Sequence, residues 1–203
     1  MSYLPKEQRR SEIIEAAIDV IQHQGLAAAT VRNVAKVTSS SPGQIHHHFD
    51  SADALRAEAF LCLWQRMKNE FVSQIKTTSP IETLIANLGG CANAEIKEDF
   101  ARLYKDLMEA SRMSATMQSV LIQIMNNSKT KHAELLKAAQ EAGELHKDAD
   151  VEQVAMSVLA LSFGFGFMKD IGFTTVDVHE IVRQQINLVN RALSCPKGTN
   201  QTV

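Results

Sequence analysis

Between Thr30 and Leu55 the chain reads TVRNVAKVTSSSPGQIHHHFDSADAL, two short helical patterns parted by a run of hydroxyl residues. Thr30 offers a hydroxyl at a helix start, and Val31, Val34 and Ala35 follow at helical spacing, which predicts a short helix to Val37. Thr38, Ser39 and Ser40 break it. Ser41 then brings a second N-cap, with Pro42 at the first helical position and Gln44 three residues on as a capping-box partner. Two helices joined by a turn of about three or four residues make a helix-turn-helix, whose second helix enters the major groove of DNA.

Stepping about 100° per residue places Ile45 and Phe49 on one inward face of that second helix. His47 then falls about 200° from Ile45, with Gly43 and Gln44 beside it and His46 and His48 on the flanks. The outward surface is small and polar. Gly43 permits close backbone approach, while Gln44 and the imidazoles can bond base edges or phosphate oxygens. The expected reader is thus a seven-residue helical peg pinned inward by an isoleucine and a phenylalanine.

The stretch, with the helix before it, resembles the N-terminal DNA-binding domain of the TetR family of bacterial transcriptional regulators. The matching residues are IIEAAIDVI from Ile13, the Gly25 break, Thr30-Val31 and Val34-Ala35, Ser41-Pro42-Gly43, and His48-Phe49 before the next helix. Three positions depart from the family pattern: Thr38-Ser39 stands where Ala-Gly is common, His46 where an aromatic is common, and Ala52 where a phosphate-contacting lysine is common. The resemblance implies an all-α fold of about nine helices, a helix-turn-helix domain over 1–50, a ligand-binding and dimerisation domain over 51–195, and a flexible tail over 196–203.

Helix one, about Lys6 to Gln24, carries Ile13, Ile14, Ala17, Ile18 and Ile21 on one stripe and ends at Gly25. With Leu26, Val31, Val34, Ile45 and Phe49 it should cover the reader. Lys6, Arg9 and Arg10 form a basic lead-in. A fourth helix is expected from Ser51 or Ala52 to about Lys76, and further helices near Ile81 to Glu95, Lys97 to Met108, Ser114 to Glu144, Asp150 to Ile171 and Asp177 to Leu193. The run Val154 to Met168 is apolar on nearly all sides and should be buried all round, with Gly164 and Gly166 marking close backbone approach or a ligand wall. Two such helices from each of two subunits would close a four-helix bundle; Val158, Phe165, Val182, Ile186 and Val189 are the expected dimer contacts.

At 203 residues with a net charge of −2, the chain lacks the strongly basic balance of an indiscriminate nucleic-acid binder. Residues 1–49 hold five Lys or Arg against four acids, so DNA binding rests on pattern rather than charge. Cys62, Cys91 and Cys195 have no metal-like spacing and predict reduced thiols in a cytoplasmic protein. MSYLPKEQRRS has no apolar run of secretory type, and Val154 to Met168 falls short of the roughly 20 residues that span a bilayer. Consecutive His46, His47 and His48 point about 100° apart and cannot converge on one ion, so no metal and no cofactor is expected. H-E-x-x-H, G-x-S-x-G and a phosphate-cradling glycine loop are missing, and catalysis is not expected.

The expected function is a homodimeric repressor on a roughly palindromic operator, its half-sites about 34 Å or a multiple apart. Gly43, Gln44 and His47 are candidates for base edges; Thr30, Ser40, Ser41, Pro42, His46 and His48 for the sugar-phosphate backbone; Arg32 and Asn33 are second choices. With imidazoles titrating near neutrality, operator affinity should strengthen from pH 8 to pH 6. A small apolar or amphipathic effector is implied by the resemblance, with Cys91, Tyr104, Met108, Met117, Leu121, Met125, Phe163 and Phe167 as candidate lining. The alternative is a helical metal- or partner-sensing adaptor without DNA binding.

Overall fold

The computed structural model describes residues 5–88 and 94–194, with side chains of 94–97 left aside; Cys91, Cys195 and the expected tail lie outside the described residues. Nine α-helices and no strand occur among the described residues: α1 Lys6–Gln24, α2 Val31–Val37, α3 Pro42–His46, α4 Ala52–Ser73, α5 Pro80–Ala86, α6 Ala94–Met113, α7 Ala115–Glu141, α8 Val151–Asp170 and α9 Val178–Ser194. A 3-10 turn, Leu26–Ala28, joins α1 to α2. The all-α expectation therefore holds. α5 is shorter than expected and Glu95 belongs to α6; Gly89 and Gly90, the poorest helix formers after proline, stand between them in the sequence.

Packing divides the chain into two compact units, and not at residue 50. The first holds the chain up to Ser73 together with the stretch ending at Ile124; the second holds Gln74 onward and the chain from Met125. In the first, Ile13, Ala17, Ile21, Leu26, Val34, Ile45 and Phe49 share one core with Leu55, Phe60 and Leu63 of α4, Leu103 and Leu107 of α6, and Met117, Val120 and Ile124 of α7. Each fully buried aliphatic or aromatic side chain contributes about 1.5–3 kcal/mol. The core is therefore completed by α4, α6 and α7 rather than closed by the three reader helices alone.

Two details lock α1 and its exit. Arg10 and Arg66 pair with Glu58 and Glu15 respectively, each joining α1 to α4. Gly25 has φ of +87° and an added Cβ would sit 3.1 Å from Asp106 Oδ2, which accepts the Leu26 N–H at 2.9 Å. Only glycine suits both the dihedral and the close approach.

In the second unit, Leu84 and Ile85 of α5, Leu136 and Ala139 of α7, Val154, Ala155 and Val158 of α8, and Val182 and Ile186 of α9 form the core. Ser79 caps α5 and donates to Glu144, which also accepts the Ile81 N–H at 2.9 Å. Asn190 and Gln140 pin the segment between α7 and α8 through its backbone.

Several expectations for α8 and α9 are corrected here. α8 is not buried all round: Met156 and Phe167 are 51% and 64% exposed. Its 20 residues are, by length and composition alone, enough to cross a membrane, whereas the sequence reading placed the apolar run below that length. Gly164 and Gly166 have nothing within 4 Å of an added Cβ, so no close approach among the described residues explains them. Val158, Val182 and Ile186, expected at a subunit contact, are buried in the unit's own core, because the apolar stripe of α9 packs inward against α5 and α8. Phe165 and Val189 are half-buried.

Candidate nucleic-acid interface

Thr30 caps α2 by accepting the Asn33 N–H at 3.2 Å, and four residues separate α2 from α3. Within that turn the Ser40 N–H reaches Ala35 O at 2.8 Å, and the Thr38 and Ser40 hydroxyls are 2.8 Å apart. Arg9 of α1 donates to the Ser40 hydroxyl and pairs with Glu12 at 2.7 Å. Ser40 is thereby engaged within the protein rather than presented to solvent as expected. Ser39 adopts φ of +49°, the left-handed region that a Cβ disfavours. Ser39→Gly should consequently stabilise the first unit by roughly 0.5–1 kcal/mol, read as a raised midpoint in chemical denaturation; an unchanged or lowered midpoint would mean that the serine is not strained there.

α3 begins as the sequence reading expects. The Ser41 hydroxyl accepts the Gln44 N–H at 3.3 Å, the Gln44 side-chain oxygen accepts the Ser41 N–H at 3.0 Å, and Pro42 occupies the first turn. The helix is five residues long, Pro42–His46, not a seven-residue peg; His47 is its C-cap and His48 lies in the turn that follows. Helical turns cannot continue because Phe49 must return to the core, where it is 4% exposed and stacked under Arg10 at 4.7 Å. Ser41, Pro42, Gly43, Gln44, His46 and His47 are exposed, while Ile45 is fully buried. The inward and outward faces derived from periodicity thus survive the shorter helix.

His48 differs from its two neighbours. It is half-buried, and its Nδ1 has no hydrogen-bond partner among the described residues. Burial and the cations Lys6, Arg10 and Arg9, with His47, hold its imidazole below the ordinary value. Since the lowered value favours the neutral form in the folded state, His48 contributes stability above the ordinary imidazole range that is lost as pH falls through its folded value. Acidification from pH 7 to pH 5 should therefore lower the melting temperature of the wild type more than that of His48→Phe; equal losses would remove His48 as the cause. The same shift withdraws His48 from the expected acid strengthening of DNA affinity.

Asn33 is also corrected: its amide donates to Ala28 O at 2.9 Å and braces the 3-10 turn. Arg32 is exposed, as is Lys36, a cation on α2 that periodicity arguments passed over because it breaks no pattern. Neither has an acidic partner among the described residues, in contrast to Arg9 and Arg10 with Glu12 and Glu58. Ala52 opens α4, half-buried, and carries no charge to the surface.

Of the candidate effector residues, Tyr104, Met108, Met117 and Leu121 belong to the first unit and Met125, Phe163 and Phe167 to the second. Met117 is a core residue, 1% exposed. Tyr104, whose phenol burial pushes up to about 12, joins a ring cluster that sequence spacing missed: Trp64 lies 6.5 Å from Tyr104, 5.0 Å from Phe100 and 5.9 Å from Phe60, and Phe71 lies 5.8 Å from Phe100. The cluster joins α4 to α6, elements too far apart in sequence for one helical period to relate. No group of three His, Cys, Asp or Glu side chains suited to a metal ion occurs among the described residues.

A capped two-helix reader with a polar outer face, seated on a core shared with longer helices, defines a helix-turn-helix transcriptional regulator. Residues 13–59 match the family model described as bacterial regulatory proteins, tetR family. It is 24% identical to the HTH-type transcriptional repressor KstR2 of Rhodococcus jostii, over 94% of both chains. Its fold matches a TetR-family regulator from Rhodococcus sp. with a TM-score of 0.69 and 20% identity, over 91% of this chain and 99% of that one. A regulator from Saccharomonospora viridis, solved in complex with choline, matches with a TM-score of 0.62 and 19% identity over 90% and 95% of the two chains.

Proposed function

We propose that the protein is a homodimeric repressor, released from a roughly palindromic operator when a small apolar or amphipathic molecule binds among its C-terminal helices. The observation that carries the reading is the exposed α3 face, Ser41 to His47, held outward by the buried Ile45 and Phe49. Gly43, Gln44 and His47 meet base edges. Thr30, Ser41, Pro42 and His46 lie near the sugar-phosphate backbone, and Arg32 and Lys36 neutralise phosphates in place of the lysine missing at Ala52.

Repression is supported by the end-to-end likeness to a protein named as a repressor. A small effector is supported by the choline-bound neighbour. A second copy of the chain is supported by the apolar side chains left exposed on α8 and α9, Met156, Phe167 and Leu188. An effector that binds one dimer geometry better than another shifts the spacing of the two reading heads and so lowers operator affinity.

A mobility shift with DNA from upstream of the protein's own gene, against excess competitor and then a panel of hydrophobic compounds, tests this. Specific retardation relieved by one compound is the expected result. No retardation with a folded protein would instead favour an adaptor that has lost DNA binding. On the same fragment, Lys36→Ala should weaken binding uniformly across sequences and reduce the slope of log affinity against log salt by about 1. An unchanged slope would place Lys36 away from phosphate.

A further inference from the structure

The capping box of α3 decides which atom of Gln44 can face DNA. The Ser41 N–H donates to the Gln44 side chain at 3.0 Å. A backbone N–H can meet only an acceptor, so the oxygen of the amide is the atom turned inward and the nitrogen is the atom turned out. Gln44 is exposed, and Gly43 beside it leaves the surface low: the nearest atom to an added Cβ there is Ser41 Oγ at 3.9 Å. A free glutamine grips adenine with both amide atoms, donating to N7 and accepting from the N6 amino group. Here the accepting atom is turned back toward the Ser41 N–H, so while the box is closed it is the nitrogen that faces outward.

What remains is a pair of N–H donors on one nitrogen. Guanine presents two acceptors, O6 and N7, and no donor in the major groove. Thymine presents one acceptor, adenine places a donor beside its acceptor, and cytosine presents a donor alone. We propose that Gln44 is a specificity-determining residue that reads guanine as a donor held by its own helix cap, and that it disfavours adenine and cytosine. The inference rests on the operator reading above.

Selection from randomised duplexes, compared between wild type and Gln44→Glu, tests it. Glutamate preserves the capping box, because a carboxylate oxygen also accepts the Ser41 N–H. Its second oxygen, however, is an acceptor facing the base. The wild type should prefer guanine over adenine about five-fold or more at one position of each half-site. In Gln44→Glu that position alone should turn to cytosine, while the others keep their preferences. Gln44→Ala, which carries the test if the glutamate variant does not fold by circular dichroism, should leave that position without preference. Adenine at the Gln44-dependent position would show that the box opens on binding and would overturn the proposal. So would preferences that are identical in all three proteins. A wild type that selects no sequence at all overturns the operator reading itself, a result distinct from either.

Discussion

Ile45→Ala is expected to cost the first unit about 2–5 kcal/mol and to abolish operator binding. Ile45 is fully buried in the core shared by α1, α2, α4, α6 and α7, and its truncation leaves a cavity among residues that other helices hold in place. The loss of binding should exceed what the loss of stability alone brings. At five residues, α3 is far below the length at which a helix stands unaided, so its position depends on Ile45 and Phe49 as anchors and on the Ser41–Gln44 box at its start. Chemical denaturation measures the first effect and fluorescence anisotropy with the operator fragment the second. His47→Ala serves as the contrast, because an exposed side chain can be removed with little change in stability. An Ile45→Ala protein that melts with the wild type and still binds would sink the account of how the reader is held.

The second large effect concerns Phe167 and Leu188, which are 64% and 58% exposed on α8 and α9. On α8, Met156, Ala160, Phe163 and Phe167 recur at spacings of four, three and four residues, a stripe on the side that the unit's own core leaves uncovered. Replacing both Phe167 and Leu188 by glutamate should leave the chain folded, since neither belongs to its core, and convert a dimer to a monomer in analytical ultracentrifugation. Operator affinity should fall roughly 10²–10⁴-fold, because the second half-site is then bound from bulk solution instead of at the high effective concentration that a tethered head provides. A double variant that sediments as the wild type does would move the subunit contact elsewhere.

Much of the reader was legible in its residues because its signals are local. Thr30, Ser41, Pro42, Gln44 and Gly25 mark helix ends through interactions that span three or four positions, and Ile45 and Phe49 declare an inward face by their spacing alone. The helix pattern beyond Ser73 was readable for the same reason, apart from the boundary between α5 and α6 and the end of α6, which runs to Met113 rather than Met108. What escaped was whatever depends on partners distant in the chain. Ser40 and Asn33 look like free polar groups until Arg9 and Ala28 O take them. Val158, Val182 and Ile186 look like an interface until the packing of α9 against α5 and α8 covers them. His48 resembles its two neighbours until its burial and surrounding cations part it from them.

Capping chemistry and apolar period, each a property of a few consecutive residues, were therefore enough to establish an all-helical chain with an N-terminal helix-turn-helix. The tertiary structure alone decided which polar side chains stay available to a ligand, where the compact units divide, and which apolar face is left bare. Those outcomes depend on desolvation and on hydrogen-bond partners, and both are set by elements that come together only when the chain has folded.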